Sequence, residues 1–179
     1  MKKWNVRMLA EGGIMIALAT ILSYIKVYEA PSGGSVTAGS MIPIMLFAIR
    51  WGLVPGLTVG TVYGILQFIV EPFFYHPIQF VLDYPLAFGL LGLAGIGYIK
   101  NNNKDNGYFK IVLGVVLAVC GRMISHVLSG VIFFYEYAGD QNPWIYSLGY
   151  NATYLVPELI ISVIVLVLIW KPIKRTIKG

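Results

Sequence analysis

Six apolar segments divide this sequence, and most of them are as long as a membrane-spanning helix. Their approximate ranges are 8–27, 37–50, 53–70, 77–99, 110–135 and 152–170. A helix needs about 20 mainly apolar residues to cross the hydrocarbon core of a bilayer. Charged residues make up 12% of the chain, which is about half the share found in soluble domains. We therefore predict an all-α integral membrane protein, with six transmembrane helices in a single membrane domain that covers residues 1–179.

Two prolines affect the boundaries of these segments. The second segment, VTAGSMIPIMLFAI (37–50), is the shortest and contains Pro43. It either spans the membrane with the support of neighbouring helices, or it enters and leaves on the same side. We expect NPWIY (142–146) to form an outer loop with a turn at Pro143.

Basic residues indicate how the chain is oriented. A six-span topology places eleven of them on one side: Lys2, Lys3, Arg7, Arg50, Lys100, Lys104, Lys110, Lys171, Lys174, Arg175 and Lys178. The opposite loops contain Glu29, Glu71, Glu136 and Asp140, with Lys26 near that boundary. Because basic residues concentrate in cytoplasmic loops, we expect both termini in the cytoplasm. The same distribution accounts for the net charge of +5, so we expect a lipid bilayer around the chain and no nucleic-acid partner.

Arg122 and His126 are exceptional residues in the apolar fifth segment. An arginine at the centre of a bilayer costs about 3 kcal/mol on insertion scales, so it normally faces a partner charge or a polar cavity. One helical face carries residues at a spacing of four, namely Arg122, His126, Gly130 and Phe134. This face offers a cation, an imidazole, a gap without a side chain and an aromatic ring. The pattern predicts the wall of a binding site.

Several polar side chains fall at a similar depth in the membrane. At a helix rise of about 1.5 Å per residue, five of them lie in the outer half: Asp83, His126, Asn151, Tyr154 and Glu158. Aromatic residues are close to them in the sequence: Tyr84, Trp144 and Tyr146. We therefore expect a polar and aromatic site that is open to the outside.

The chemistry of these groups indicates a cationic aromatic ligand. Asp83 can offset a positive charge in a medium of low dielectric constant, where charge pairing is strong. Aromatic rings stack on flat heterocycles and attract cations to their faces. Asn151 and His126 each provide a donor and an acceptor for the edge of a ring. Arg122 lies deeper and is placed to keep Asp83 or Glu158 ionised.

The same residues also have structural interpretations. Arg122 can form an ion pair with Asp83 or Glu158, and His126 can form a hydrogen bond between helices. Interfacial tyrosine and tryptophan residues often form a belt at the membrane surface. Such contacts can exist with or without a ligand site above them.

The third segment carries glycines at a spacing of four: Gly52, Gly56, Gly60 and Gly64. Small residues at this spacing let another helix backbone approach closely. The approaching helix belongs either to the same chain or to another membrane subunit.

Several motifs are absent from the sequence. It has no GxxxxGK[ST] phosphate-binding loop, so we expect it not to hydrolyse ATP by itself. It has no cysteine and histidine cluster at metal-ligand spacing and no HExxH or GxSxG motif. We therefore expect no metal, no cofactor and no enzymatic activity. These features indicate a small binding protein that depends on a partner for energy.

Three blocks of the sequence resemble a known family: GGSVTAGSMIPIMLFAIRWG (33–52), HPIQFVLDYPLAFGLLGLAG (76–95) and SHVLSG (125–130). They are similar to the thiamine-specific substrate-binding (S) subunits of energy-coupling factor (ECF) transporters. The resemblance implies a six-helix subunit of the bacterial plasma membrane that captures thiamine from outside with high affinity. It also implies docking onto a coupling membrane subunit and two ATPase subunits, which supply the energy.

The resemblance also implies roles for individual residues. The family's thiamine-binding residues match Asp83, Tyr84, His126, Gly130, Phe134, Tyr146 and Asn151. The acid at Asp83 faces the thiazolium cation, and the family usually has the longer glutamate there. Tyr146 and Asn151 hydrogen-bond the aminopyrimidine ring.

Further positions are implied around this site and on the first helix. Arg122 matches a basic residue one turn before the histidine, and we expect Arg122 and Glu158 to lie behind the ligand contacts. The loop around APSGGS (30–35) matches a lid. The residues that contact the coupling subunit match Gly13, Ala17 and Ala19.

Other functions are alternatives to thiamine capture. The same fold can bind another vitamin or a thiamine precursor. A membrane enzyme can use Asp83, His126 and Glu158 for acid–base chemistry. The chain can also be a structural membrane subunit with no transport function.

Overall fold

The computed structural model describes residues 4–31, 33–97 and 107–177. The helices in these ranges are α1 (Val6–Ser23), α2 (Ile42–Trp51), α3 (Leu53–Val70), α4 (Pro77–Gly97), α5 (Tyr108–Phe133) and α6 (Pro143–Ile177). Between α1 and α2, strands β1 (Lys26–Glu29) and β2 (Ser35–Thr37) form an antiparallel hairpin. All these helices except α2 are long and apolar enough to cross a membrane. The prediction of an all-α membrane protein with six helices is confirmed.

Five of the basic residues that predict the orientation lie outside the described residues: Lys2, Lys3, Lys100, Lys104 and Lys178.

The connection between α1 and α2 is where the predicted segments and the structure differ. α1 ends at Ser23, whereas the sequence predicted helix to residue 27, and α2 begins at Ile42 rather than at residue 37. The hairpin turns at Gly33 and Gly34, whose φ angles of 93° and 86° suit glycine. The prediction was wrong here because hydropathy alone does not separate a short apolar strand from the end of an apolar helix.

α2 forms the centre of the bundle. Seven of its ten residues are buried, and it packs against each of the other five helices in the described ranges. Its length of about 15 Å is half the thickness of the hydrocarbon core. Pro43 lies in its first turn, where a missing N–H breaks no helical hydrogen bond. The core contains large buried side chains of α2 and of its neighbours, such as Phe47 of α2 and Tyr63 of α3.

α3 and α4 approach each other through their glycines. At Gly60 and Gly64, an added Cβ would overlap backbone atoms of α4. At Gly92, it would overlap the backbone of α3. The glycine ridge is therefore used inside this chain, and packing explains it without another subunit. Gly52 has a different role, because it connects α2 and α3 with a φ angle of 100°.

α4 changes its geometry along its length. An α-helical turn over Pro77–Val81 is followed by a π-helical turn over Leu82–Leu86, and the helix ends in a 3-10 segment over Leu90–Gly97. Pro85 lies inside the π-helical turn and has no N–H to donate to the preceding turn. Such turns occur frequently at functional sites. This one contains Asp83.

α6 begins earlier than the sequence predicted. It starts at Pro143, and the expected outer loop at 142–146 is its first turn. Asn142 Oδ1 accepts a hydrogen bond from the backbone N–H of Trp144 at 2.9 Å. An asparagine cap followed by proline is a common helix start. The loop prediction was wrong because these residues cap a helix rather than form a turn between two segments.

Candidate ligand-binding site

Three side chains from α4 and α5 form a continuous chain of hydrogen bonds. His126 Nδ1 lies 3.0 Å from Asp83 Oδ1. Arg122 Nε donates to His126 Nε2 at 3.2 Å. Because Nε2 accepts this bond, the ring hydrogen of a neutral imidazole is on Nδ1 and points to the carboxylate. His126 therefore connects a cation to an anion that lies across the helix contact.

The second carboxylate oxygen of Asp83 has two further donors. Gln79 Nε2 donates to Oδ2 at 2.8 Å, and Ser129 Oγ donates to it at 2.7 Å. Gln79 lies four residues before Asp83, and Ser129 lies three residues after His126, so each shares a helical face with its neighbour. The sequence interpretation missed both residues. Their spacing was the available signal, but a neutral polar side chain is no anomaly in a membrane helix.

α5 also makes a hydrogen bond to the backbone of the π-helical turn in α4. Ser125 Oγ donates to the backbone carbonyl of Leu82 at 2.6 Å, at the first residue of that turn. Ser125 and Ser129 are both buried. Together with Arg122 and His126 they form one polar stripe at helical spacing, and this stripe fixes where the Asp83 backbone and carboxylate lie.

A row of tyrosines on α6 stands beside this cluster. The ring centre of Tyr154 lies 6.2 Å from that of His126, with the planes at 72°. Tyr146 and Tyr150 stack with centres 6.3 Å apart and planes at 21°. The Tyr154 hydroxyl donates to Asn151 Oδ1, and Asn151 Nδ2 donates to the backbone of its own helix at 2.8 Å. Asn151 is thus linked to the site through Tyr154.

Gly130 faces α6 rather than an open space. An added Cβ at this position would overlap the side chain of Ser147, which is buried. Ser147 Oγ donates to the carbonyl of Val127 at 3.2 Å. The expected gap in the wall of the site is therefore filled by α6, and the missing side chain of Gly130 lets the two helices pack closely.

Tyr84 and Phe134 lie at the outer edge of the cluster. The Tyr84 hydroxyl donates to the carbonyl of Glu71 at 2.9 Å and accepts from the backbone N–H of Phe73 at 3.0 Å. Phe134 follows the last residue of α5, and its ring centre lies 5.5 Å from that of Tyr75. Both residues therefore contact the segment that connects α3 and α4.

Glu158 contacts the hairpin instead of the Asp83 cluster. Its Oε1 atom accepts hydrogen bonds from the backbone N–H of Thr37 and from Thr37 Oγ1, the latter at 2.7 Å. Its Oε2 atom is buried and has no partner among the described residues. Among the described residues, the side-chain hydrogen bond of Arg122 is with His126 Nε2 at 3.2 Å rather than with Glu158 or Asp83. The guanidinium of Arg122 lies 4.1 Å from the ring centre of Phe88.

The hairpin covers the outer part of the tyrosine row. The Tyr150 hydroxyl donates to the carbonyl of Gly33 at 2.6 Å. Gly34 lies so close to the ring of Tyr154 that a Cβ added at Gly34 would overlap that ring. On the opposite side of the hairpin, Lys26 Nζ lies 2.8 Å from a carboxylate oxygen of Glu71, and this bond raises the pKa of Lys26. The hairpin is therefore anchored to both α6 and the end of α3.

The predicted docking residues lie on two different faces of α1. Gly13 and Ala17 are exposed, and an added Cβ at Gly13 would meet no atom within 4 Å. Ala19 is fully buried, and its carbonyl accepts a hydrogen bond from the Tyr63 hydroxyl at 3.3 Å. Residues two positions apart point to opposite sides of a helix. Ala19 is therefore not accessible to another subunit in this structure.

The cluster matches an organic cation better than a metal ion. Among the described residues, no group of three or more histidine, cysteine, aspartate or glutamate side chains lies close enough together to hold a metal. Asp83 supplies one negative charge at a fixed position, and the tyrosine row supplies ring faces. A flat ring system with a positive charge fits both groups.

Comparisons with known proteins identify relatives over nearly the whole chain. The family model of the thiamine transporter protein (Thia_YuaJ) matches residues 9–178. Thiamine transporter ThiT of Bacillus subtilis (strain 168) is 40% identical over 181 aligned residues, which cover 96% of this chain and 94% of the relative. Thiamine transporter ThiT of Lacticaseibacillus paracasei is 31% identical over 166 residues, covering 87% of this chain and 82% of the relative.

A solved structure shows the same fold. ThiT from Listeria monocytogenes superimposes with a TM-score of 0.82 at 24% identity, covering 96% of this chain and 97% of the other. The chain is thus a multi-pass protein of the bacterial plasma membrane with a role in transport rather than catalysis. Its family follows from the match over residues 9–178: the chain belongs to the thiamine transporter protein (Thia_YuaJ) family.

Proposed function

We propose that this protein captures thiamine from the outer side of the membrane, in the site around Asp83. The observation that carries the proposal is a carboxylate held by three side-chain donors beside a row of tyrosine rings. Thiamine combines a thiazolium cation with a flat aminopyrimidine ring, so it matches both features. Two relatives of the chain are named thiamine transporters, which supports the same ligand.

In this proposal Asp83 faces the thiazolium ring, and the tyrosine row contacts the aromatic surface of the ligand. His126 orients the carboxylate by donating to it, and Arg122 keeps the His126 tautomer in which this is possible. Tyr146 contacts the aminopyrimidine ring, and Asn151 acts on the site through Tyr154, whose hydroxyl it holds by accepting a hydrogen bond.

Residues at the margins of the site have supporting roles. Tyr84 and Phe134 close its outer edge through the segment between α3 and α4. Glu158 anchors the hairpin above the tyrosine row. Gly130 acts only through the packing of α5 against α6.

We further propose that the protein is the substrate-binding subunit of an ECF transporter, energised by separate ATPase subunits. The sequence has no phosphate-binding loop of its own. The exposed small residues Gly13 and Ala17 on α1 suit close contact with a coupling subunit in the membrane. Basic residues near the ends of helices, such as Arg7 and Arg50, support a cytoplasmic location of both termini.

Isothermal titration calorimetry of the purified protein tests thiamine capture. We expect saturable binding of thiamine at submicromolar concentration, with the separate pyrimidine and thiazolium halves competing only weakly. A half that competes as well as intact thiamine would indicate a precursor as the ligand. If thiamine gives no saturable response, the proposal is wrong.

A further inference from the structure

Gln79 is a fully buried residue near the outer end of α4, where glutamine side chains are usually exposed. Its side chain makes three hydrogen bonds. Oε1 accepts from the backbone N–H of Tyr75 at 3.0 Å, and Nε2 donates to the carbonyl of Phe73 at 3.3 Å. Nε2 also donates to Asp83 Oδ2 at 2.8 Å.

These contacts determine the orientation of the Gln79 amide. Its oxygen and both of its N–H groups are used, each toward a partner of the matching kind. A flipped amide would place Oε1 against the Asp83 carboxylate and NH2 against a backbone N–H. Gln79 can therefore occupy this position only with its donor directed at Asp83.

The hydrogen bond from Gln79 to Asp83 distinguishes the two carboxylate oxygens of Asp83. Oδ2 of Asp83 accepts from Gln79 and Ser129, which matches the two lone-pair directions of one carboxylate oxygen. Among the residues that the structure describes, Oδ1 accepts from His126 and from no second donor, so it retains one direction for another partner. Oδ1 is therefore the oxygen with free capacity for a cation.

The other two bonds of Gln79 connect this carboxylate to the outer segment. That segment is held by α4 at two points, because the Tyr84 hydroxyl also accepts from the backbone N–H of Phe73. The rings of Phe73 and Tyr75 lie 5.8 Å and 5.5 Å from the ring of Phe134. One amide group thus joins the carboxylate to the backbone at the outer edge of the site.

We propose that Gln79 is a positioning residue for thiamine recognition, which directs Oδ1 of Asp83 toward the cation and couples the carboxylate to the segment at Phe73–Tyr75. The inference rests on the proposed function, because thiamine supplies the cation. It predicts that Gln79 affects the positively charged half of the ligand and leaves recognition of the neutral pyrimidine half unchanged.

The first measurement compares affinities for thiamine and for its isolated pyrimidine half by calorimetry. For Gln79→Leu we expect thiamine to bind about tenfold to hundredfold more weakly, while affinity for the pyrimidine half changes less than about threefold. Gln67→Leu is the matched control, since Gln67 is a buried glutamine of α3 that donates to Ser23 instead. Gln67→Leu should change the affinities for thiamine and for the pyrimidine half by the same factor, or change neither.

Gln79→Met provides a second variant if the leucine variant does not fold. Methionine is close to glutamine in length and has no N–H donor toward Asp83, so this variant should show the same selective loss for thiamine. An equal loss for both ligands in either variant would overturn the inference. Wild-type protein that fails to bind thiamine would instead reject the proposed function.

Hydrogen exchange tests the coupling separately. We expect thiamine to increase protection of the amides at Phe73–Tyr75 in the wild type and in Gln67→Leu, but not in the Gln79 variants at saturating ligand. Equal protection by thiamine in the Gln79 variants would show that the segment responds without this amide, and the coupling would be rejected.

Discussion

His126 Nδ1 lies 3.0 Å from Asp83 Oδ1, across the contact between α4 and α5. This bond makes the imidazole, rather than the arginine, the direct partner of the acid. Arg122 acts on the carboxylate through the ring, because it donates to the opposite nitrogen of His126. An arginine that is costly inside a membrane is thereby satisfied by a neutral group and by the face of Phe88.

His126→Ala should weaken thiamine binding by about tenfold to hundredfold, because it removes a donor to Asp83 and the acceptor to which Arg122 Nε donates. Calorimetry measures the change. His76→Ala is the control, since His76 caps the start of α4 and has no contact with the carboxylate among the described residues. Equal affinities for the two variants would remove His126 from the site.

Glu158→Ala should release thiamine faster, by about tenfold, because the hairpin loses two buried hydrogen bonds to α6. Glu158→Gln retains an acceptor for Thr37 and should have a smaller effect. Stopped-flow measurement of dissociation distinguishes them, with Thr153→Ala on the exposed side of α6 as a control. An unchanged rate in Glu158→Ala would show that this anchor does not retain the ligand.

Gly64→Ala should destabilise the fold by about 1–3 kcal/mol, because the new Cβ overlaps a backbone carbonyl of α4 that cannot move freely. The thermal unfolding midpoint in detergent should fall by several degrees. Gly13→Ala adds the same methyl group in open space and should not lower the midpoint, because alanine favours a helix over glycine. A stable Gly64→Ala variant would mean that α3 and α4 pack less closely than described.

Ala17→Trp should block assembly with a coupling subunit while thiamine binding to the isolated protein stays intact. The bulky ring would prevent close approach at the exposed small residues of α1. Copurification with the coupling subunit measures assembly, and thiamine uptake by whole cells measures its consequence. Uptake should fall by more than about tenfold. Val62→Trp adds the same ring on the exposed face of α3 and should assemble normally. Normal assembly of Ala17→Trp would place the contact elsewhere.

The apolar segments in the sequence were sufficient to predict six helices, because length and hydropathy determine what can cross a bilayer. They did not predict the hairpin or the start of α6. Both depend on local backbone chemistry, with positive φ angles at Gly33 and Gly34 and a side-chain cap at Asn142. Such features are short compared with a membrane span and are hidden within averaged hydropathy.

Depth along each helix predicted that Asp83 and His126 both lie in the outer half of the membrane, and the structure brings them together. Depth does not determine the rotation of a helix. Glu158 was therefore one of two expected partners of Arg122, with Asp83 as the other, but its carboxylate contacts Thr37 instead. Gln79 and Ser129 were not predicted, because an uncharged polar residue costs too little in a membrane helix to indicate a site. Their importance depends on contacts between α4 and α5 that only the structure shows.

In the proposed site, the Asp83 carboxylate recognises the positive charge of thiamine. The most direct test measures the affinities of wild type and Asp83→Asn for thiamine and for an isosteric analogue whose thiazolium is replaced by a neutral thiophene ring. We predict that the wild type prefers thiamine by about tenfold or more, and that Asp83→Asn loses this preference while binding the neutral analogue as before. An equal preference for thiamine in both proteins would show that the Asp83 carboxylate does not recognise the charge.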